Sequence, residues 1–503
     1  MFNFLLSEAA RLANIITLGK DRMTDEQYIV QEINHFKISQ RRKEMFDGEK
    51  YYAGRHDILS RKRTVIGEDG QLEEVKNLPN NRIVDNQYKK MVDQKNNYLL
   101  GQPITIQCAN ESYLKHLKQI FNKKFNRLMK RVGEDSLNCG LGWLFIHYDE
   151  QGVLTFKRIK PFEIIPGWKD SEHTVLDYAL RIYEVIVYEG RKEKVVQKVE
   201  VYDDKGITYF EMGEGGSLDP VEPYFQNYFT VTEDGVEKPY NWTKIPLIPF
   251  KYNSKEIPLI KNVKTLQDGL NTIESNFQNA MEEDTRNTIL VLVNYDGQNL
   301  GEFRRNLAQY GAVKVKTVDG AGGDLKTLQV EVNSENYKAI LEIFKKAIIE
   351  NAMGYDAKDD RLNGTPNEMN IQSMYSDIDL DANSMETEYQ AAFEELLWFI
   401  NCHLSNTGMG DFEGEEVDFI FNRDMLISES NIIDNINKSQ DLSLETRLAQ
   451  HPWVDDVQAE MERKKKEQEE NMEQYGLAFN GAGNVDDSDD EKNPVPNKEE
   501  IDD

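Results

Sequence analysis

Three long helical patterns, separated by segments too polar to continue them, constrain this chain more than any other feature. Over 257–284, Leu259, Val263, Leu266, Leu270, Ile273 and Phe277 recur near heptad spacing. From Asn333 to about Asn351 the apolar residues are Ile340, Ile343, Phe344 and Ile348. From 368 to 404 the stripe is Ile371, Met374, Ile378, Met385, Tyr389, Phe393, Leu396 and Ile400, with Gly408 just beyond the end. Steps of three and four place such residues on one helix face, and a glycine past the last turn is a usual stop. Between the first two helices lies a small α/β insertion, 285–332. It reads as a strand at Thr288–Val293, a turn at Asn294–Gly297, a short helix at 299–310 and strands at 312–317 and 325–332. A polar loop, 352–367, separates the second helix from the third; Gly354, Gly364 and Pro366 keep it from continuing either.

The part before these helices is mixed. Residues 1–24 read as an amphipathic helix, with Leu5, Ala9, Leu12 and Ile16 near one face, and not as a signal peptide. Helices are expected over 24–52, over 80–100 (stopped by Gly101-Gln102-Pro103) and over 112–138. From Trp143 the period changes to two, and Asp149–Gly152 reads as a hairpin turn. Strands continue over 176–212, and 213–244 reads as a long exposed connection. After the third helix come a strand at 417–421, helices near 429–439, 443–450 and 455–475, and an acidic tail expected to be disordered. The fold class is therefore α+β and predominantly helical.

Charge and chemistry narrow the function. The formal net charge is −29, which argues against a protein that wraps nucleic acid on an open basic face. Residues 1–150 hold 24 Lys/Arg against 20 Asp/Glu, whereas 361–503 hold 10 against 35. On 112–138, Lys115, Lys118, Lys123, Lys124, Arg127, Lys130 and Arg131 cover the polar side; a solvated face is preferred there to a nucleic-acid face. Cys108, Cys139 and Cys402 have no pairing pattern, so free thiols are expected. No run of about 18 apolar residues predicts a membrane span. Phosphate-loop, metalloprotease, nucleophile-elbow and EF-hand patterns are missing. Asp377, Asp379 and Asp381 alternate on a helix and so cannot converge on a metal; a solvated face is expected. Lys464-Lys465-Lys466 is expected to pair with Glu460, Glu462, Glu469 and Glu470. No catalytic residue, metal site or cofactor is expected.

The order of elements, together with several strings, resembles the portal proteins of tailed double-stranded DNA bacteriophages, of the long-tailed type from Gram-positive hosts. The strings are Tyr51–Ile58, Asn81-Arg82 with Val92–Lys95 and Tyr98–Pro103, Ile245–Phe250, Val291–Gly297, Asn406–Phe412 and His451-Pro452. The resemblance covers roughly 25–475.

It implies a ring of twelve subunits around a channel at one capsid vertex, built from wing, stem, clip and crown. The wing would be 25–245 with 368–425. The stem would be the helix of 246–284 and the returning helix 333–351, the clip 285–332, the channel loop 352–367 and the crown 426–475, followed by the tail 476–503. Lys358, Arg361 and Asn363 would lie in the channel loop. Asn294, Tyr295, Asp296, Arg304 and Arg305 would meet the packaging motor or the tail adaptor. Implied partners are the terminase packaging motor, a head-completion adaptor, scaffold and major capsid proteins, and double-stranded DNA passing without sequence specificity. The implied location is the virion, with host cytoplasm during assembly. Another structural head component (a minor capsid or head-assembly protein) is the first alternative. A metal-dependent nuclease is the second, but it needs convergent acids that the sequence lacks.

Overall fold

The computed structural model describes residues 25–480 apart from 67–69, 76–77, 214, 234–235, 285–287, 294–323, 330–333, 357–367, 424–432, 434–435, 440 and 455–456. The chain divides into two compact units, Met1–Met425 and Leu426–Asp503.

The first unit opens with α1 (Asp25–Ile38) and α2 (Gln40–Tyr52). The pattern over 24–52 reads as one helix, but Ser39 divides it. Its backbone is extended and its hydroxyl accepts the Arg42 N–H, so it caps α2 instead of continuing α1. A ribbon of β1 (Thr64–Ile66) and β2 (Leu72–Glu74) precedes α3 (Gln87–Leu100). Then come β3 (Thr105–Cys108), α4 (Glu111–Ile120) and α5 (Lys123–Cys139). The single helix expected over 112–138 is again two. Asn122 is extended, and its side-chain oxygen accepts the N–H groups of Lys124 and Phe125. In both places a short polar side chain offers the backbone a better partner than the next helical turn.

The period-two segment forms β4 (Leu141–Tyr148), β5 (Leu154–Ile159) and β6 (Ile164–Trp168). Strands β7 (Leu176–Glu189), β8 (Lys192–Tyr202), β9 (Ile207–Met212) and β10 (Leu218–Gln226) follow. Then come β11 (Phe229–Glu233), β12 (Val236–Tyr240) and β13 (Leu247–Lys251). One antiparallel sheet has the order β10-β9-β8-β7-β6 and a second the order β13-β4-β5. The connection expected over 213–244 is thus largely strand. Its polar composition is that of an edge: β10 carries Pro220 and Pro223, is mostly exposed, and among the described residues pairs only with β9.

Helix α6 (Ile260–Asp284) leads to β14 (Thr288–Val293), which pairs antiparallel with β15 (Asp324–Gln329). Helix α7 (Ser334–Asn351) returns along α6, and α8 (Glu368–Asn406) precedes β16 (Val417–Ile420), which pairs with β3. The α8 stripe is as the periodicity predicts, with Met374, Ile378, Met385, Tyr389, Phe393, Leu396 and Ile400 all buried. Phe393 is a centre of the core. Its ring lies 4.4 Å from Phe419, 5.5 Å from Phe250 and 6.2 Å from Phe125, so one side chain joins α8 to β16, β13 and α5. The three thiols are free, and Cys139 is buried.

The second unit holds α9 (Leu444–Ala449), capped by Ser443 accepting the Thr446 N–H, and α10 (Val457–Asn480). The helix expected at 429–439 lies largely outside the described residues, as does the tail beyond 480. On α10 the ion pair that forms among the described residues is Arg463 with Glu460, at 2.8 Å. Lys464, Lys465 and Lys466 stay in solvent, where an exposed pair gains too little to fix two long side chains.

Candidate functional site

The helical hairpin α6–α7 meets the rest of the first unit through a polar seam. Four buried residues of α6 stand four apart: Gln267, Asn271, Ser275 and Asn279. Facing them, residues 80–86 run extended without a strand partner. The Asn81 N–H donates to Asn279 Oδ1 (2.7 Å), the Ile83 N–H to Ser275 Oγ (2.9 Å) and the Asp85 N–H to Asn271 Oδ1 (3.1 Å). The Tyr88 N–H donates to Gln267 Oε1 at 2.9 Å. The match is geometric. Four helical residues rise about 6 Å and two extended residues about 6.6 Å, so from Asn81 to Asp85 every second N–H meets every fourth side chain; the step to Tyr88 is three residues, because α3 has begun there. Gln267 Nε2 also donates to the Asp85 carbonyl (2.7 Å), and Asn271 Nδ2 to Nδ1 of buried His56 (2.7 Å). Burial lowers the His56 pKa, which keeps its ring neutral and able to accept. The four-residue polar repeat is legible in the sequence, but a search for apolar periodicity passes over it.

Two further anchors hold this hairpin. At its foot Glu256, with φ +55, receives His173 Nδ1 at 2.8 Å, the Arg41 guanidinium, and Lys251 at 3.5 Å. Gly140 (φ +88) lies so close that a Cβ would sit 2.1 Å from the Glu256 carbonyl oxygen, so only glycine fits there. Along its length, a Cβ on Gly269 would sit 2.5 Å from the Phe344 ring, which measures how closely α6 and α7 approach.

Lys345 of α7 bridges Asp85 (2.7 Å) and Glu274 of α6 (3.7 Å). Burial would raise Asp85, but the Lys345 ammonium and the Gln87 amide outweigh it and hold the carboxyl low. Burial and the Asp85 charge push Glu274 up to about 7 from an ordinary 4.5. A carboxyl raised on folding contributes stability that is complete below its unfolded pKa and lost as pH rises through the folded one. The wild type should therefore lose stability between 4.5 and about 7 at this joint. Glu274→Gln, which stays neutral, should flatten that loss in urea-unfolding midpoints taken across the window; an unchanged slope would refute the assignment.

At the far end of α7 the chain is gripped by α3 before the loop begins. Met353 has φ +51. The Gln94 amide donates to the Tyr355 carbonyl (2.9 Å) and its oxygen accepts the Tyr355 N–H (3.1 Å), as a strand partner would. Lys95 Nζ donates to the Met353 carbonyl at 3.1 Å and to Asp381 of α8 at 2.6 Å. The Tyr252 hydroxyl donates to the other Asp381 oxygen at 2.8 Å. Burial lowers the Lys95 pKa, and the Asp381 charge opposes that. Asp379 accepts from Tyr98 and pairs with Arg423 at 3.2 Å. The solvated face expected for Asp377, Asp379 and Asp381 is thus corrected: Asp377 is exposed, while Asp379 and Asp381 are taken up by partners from α3, from the residue after β13 and from the chain after β16. The reason is tertiary, since the partners lie from 44 (Arg423) to 286 (Lys95) residues away in sequence.

The loop residues Lys358, Arg361 and Asn363 lie outside the described residues, as do Asn294, Tyr295, Asp296, Arg304 and Arg305. What the structure places is their flanks: the ladder β14–β15 in register from Thr288↔Gln329 to Val293↔Asp324, and the anchored turn 352–356. Among the described residues, no group of three or more His, Cys, Asp or Glu side chains is set to hold a metal ion.

The first unit is thus organised around a long helical hairpin leading into a two-stranded ladder, a gripped turn and a third long helix. The phage portal protein family, SPP1 Gp6-like, matches residues 34–474, and the chain belongs to that family. It is 28% identical over 455 residues to the portal protein of Bacillus phage SPP1, covering 88% of this chain and 87% of that one. It is 27% identical over 430 residues to the portal protein of Clostridium phage phiCD119, covering 83% and 91%. A chain from the neck of a native GTA particle, computed with C12 symmetry, superposes over 73% of this chain and 89% of that one. Its TM-score is 0.38 at 12% identity, too loose to bear on assembly.

Proposed function

We propose that this chain is the repeating subunit of a ring at one capsid vertex, through which double-stranded DNA is packaged and later ejected. Family membership over 34–474 supports the portal reading. The observation that carries assembly is the apolar surface left on the hairpin. Ile340 and Ile343 of α7 are exposed, Ile343 by 64%, although they belong to the periodic apolar pattern of their helix, and Met281 of α6 is exposed as well. A second copy packed alongside would cover them. In this reading α6 and α7 are the stem, and 25–245 with α8 and β16 the wing. The insertion 285–332 is the clip, where Asn294, Tyr295, Asp296, Arg304 and Arg305 meet the packaging motor or adaptor. The loop 352–367 lines the channel with Lys358, Arg361 and Asn363, and 426–475 forms the crown. The role is structural, not catalytic. The subunit assembles in the host cytoplasm with scaffold and capsid proteins and ends in the virion.

Negative-stain images of the purified chain should show rings with a central hole. Light scattering should give a multiple of 58.3 kDa. A monomer mass across salt and concentration would sink the reading.

A further inference from the structure

We propose that the outer face of α5 is a sequence-independent contact for the phosphate backbone of duplex DNA, apart from any passage of DNA through a channel. At 100° per residue, Lys123, Lys124, Arg127, Lys130 and Arg131 fall within an arc of about 120°. Buried Phe125, Met129 and Val132 lie on the opposite side. Lys123, Lys124, Arg127 and Arg131 are exposed and Lys130 is half-buried. None of the five enters an ion pair among the described residues. The chain has a net charge of −29, and on α10 the exposed lysines are mixed with acids. On α5 the acids come only at the end, with Glu134 half-buried and Asp135 buried against Lys160 and Arg158.

The α5 N-terminal N–H groups of Lys124 and Phe125 are already capped by Asn122, so the side chains carry the contact. From Lys123 to Arg131 the helix rises about 12 Å, enough to follow about three phosphates of one strand. The competing occupant is a second copy, presenting exposed acids such as Asp411, Glu413, Glu415 and Glu416. Protein interfaces have an apolar or aromatic centre, and neither α4 nor α5 exposes any large hydrophobic residue. The cationic rod therefore fits a polyanion better than a protein.

The test uses the full assembled chain and relaxed, covalently closed circular plasmid DNA, which cannot thread a closed channel. Binding is followed by filter retention as salt is raised. With about three phosphates neutralised per contact, wild-type affinity should fall about 40-fold between roughly 50 and 200 mM salt. Combining Lys123→Gln, Lys124→Gln, Arg127→Gln and Arg131→Gln should lower low-salt affinity at least about tenfold and flatten the salt slope. Lys123→Arg with Lys124→Arg should retain binding. Should the fourfold variant misfold by circular dichroism, Arg127→Glu alone supplies the comparison. Equal binding of circles by variant and wild type overturns the proposal. So does no binding by either, or a variant whose only change is a smaller assembly, which would assign the face to a second copy. Because circles do not report on the channel, such a failure leaves the portal reading untouched.

Discussion

Asp381→Ala is expected to destabilise the first unit by about 3–5 kcal/mol, the usual cost of leaving a buried charge without its partner. The Lys95 side chain is only 2% exposed and Asp381 14%, so water cannot take the place of the lost carboxylate. Lys95 would keep one neutral acceptor, the Met353 carbonyl. Tyr252 would lose the acceptor of its hydroxyl. The pairing with apolar residues, Lys95→Met with Asp381→Leu, should recover most of the loss, because it removes both charges instead of one. Unfolding midpoints in urea check the stability. A loss below about 1 kcal/mol for Asp381→Ala would show that the pair is solvated. The same variant should speed amide exchange at Gly354 and Tyr355, since Lys95 and Gln94 together hold the turn that leads into 357–367. If exchange there is unchanged, the grip does not reach the loop.

Asn271→Leu should cost about 2–5 kcal/mol and loosen the hairpin from residues 80–88. Asn271 is fully buried and central in the polar seam. Its oxygen accepts from Asp85 N–H and Gln267 Nε2, and its amide donates to His56. A leucine satisfies none of these groups, and each orphaned buried group costs about 1–3 kcal/mol. Gln267 keeps the Asp85 carbonyl as an acceptor, so the principal orphans are the Asp85 N–H and the His56 ring nitrogen. Ser275→Ala removes the acceptor of the Ile83 N–H and one donor to the Asn271 main-chain carbonyl; it orphans one N–H and should cost less. Equal losses for the two variants would mean that packing, not hydrogen bonding, sets the seam. Protease cleavage between 76 and 86 should become faster in Asn271→Leu.

Much of this architecture is legible in the amino-acid sequence. The stripe from Met374 to Ile400 is buried as its spacing predicts, because a long amphipathic helix has one way to hide its apolar face. The hairpin at Asp149–Gly152 and the order of the three long helices are equally plain. Breaks inside helical patterns are harder. Ser39 and Asn122 each interrupt an otherwise continuous stripe, and such residues also occur within helices. Their capping role depends on where the next helix must point.

Local propensity and periodicity act within a few residues, and they are enough to settle the long helices, their order and their buried apolar faces. Which polar groups meet is a matter of tertiary packing alone. Asp381 finds Lys95, Asn271 finds the Asp85 N–H, and Glu256 gathers Arg41, His173 and Lys251. Nearly all of these contacts join segments far apart along the chain. Each is fixed by how the apolar faces pack, because a buried charge or N–H is tolerated only where that packing brings it a partner.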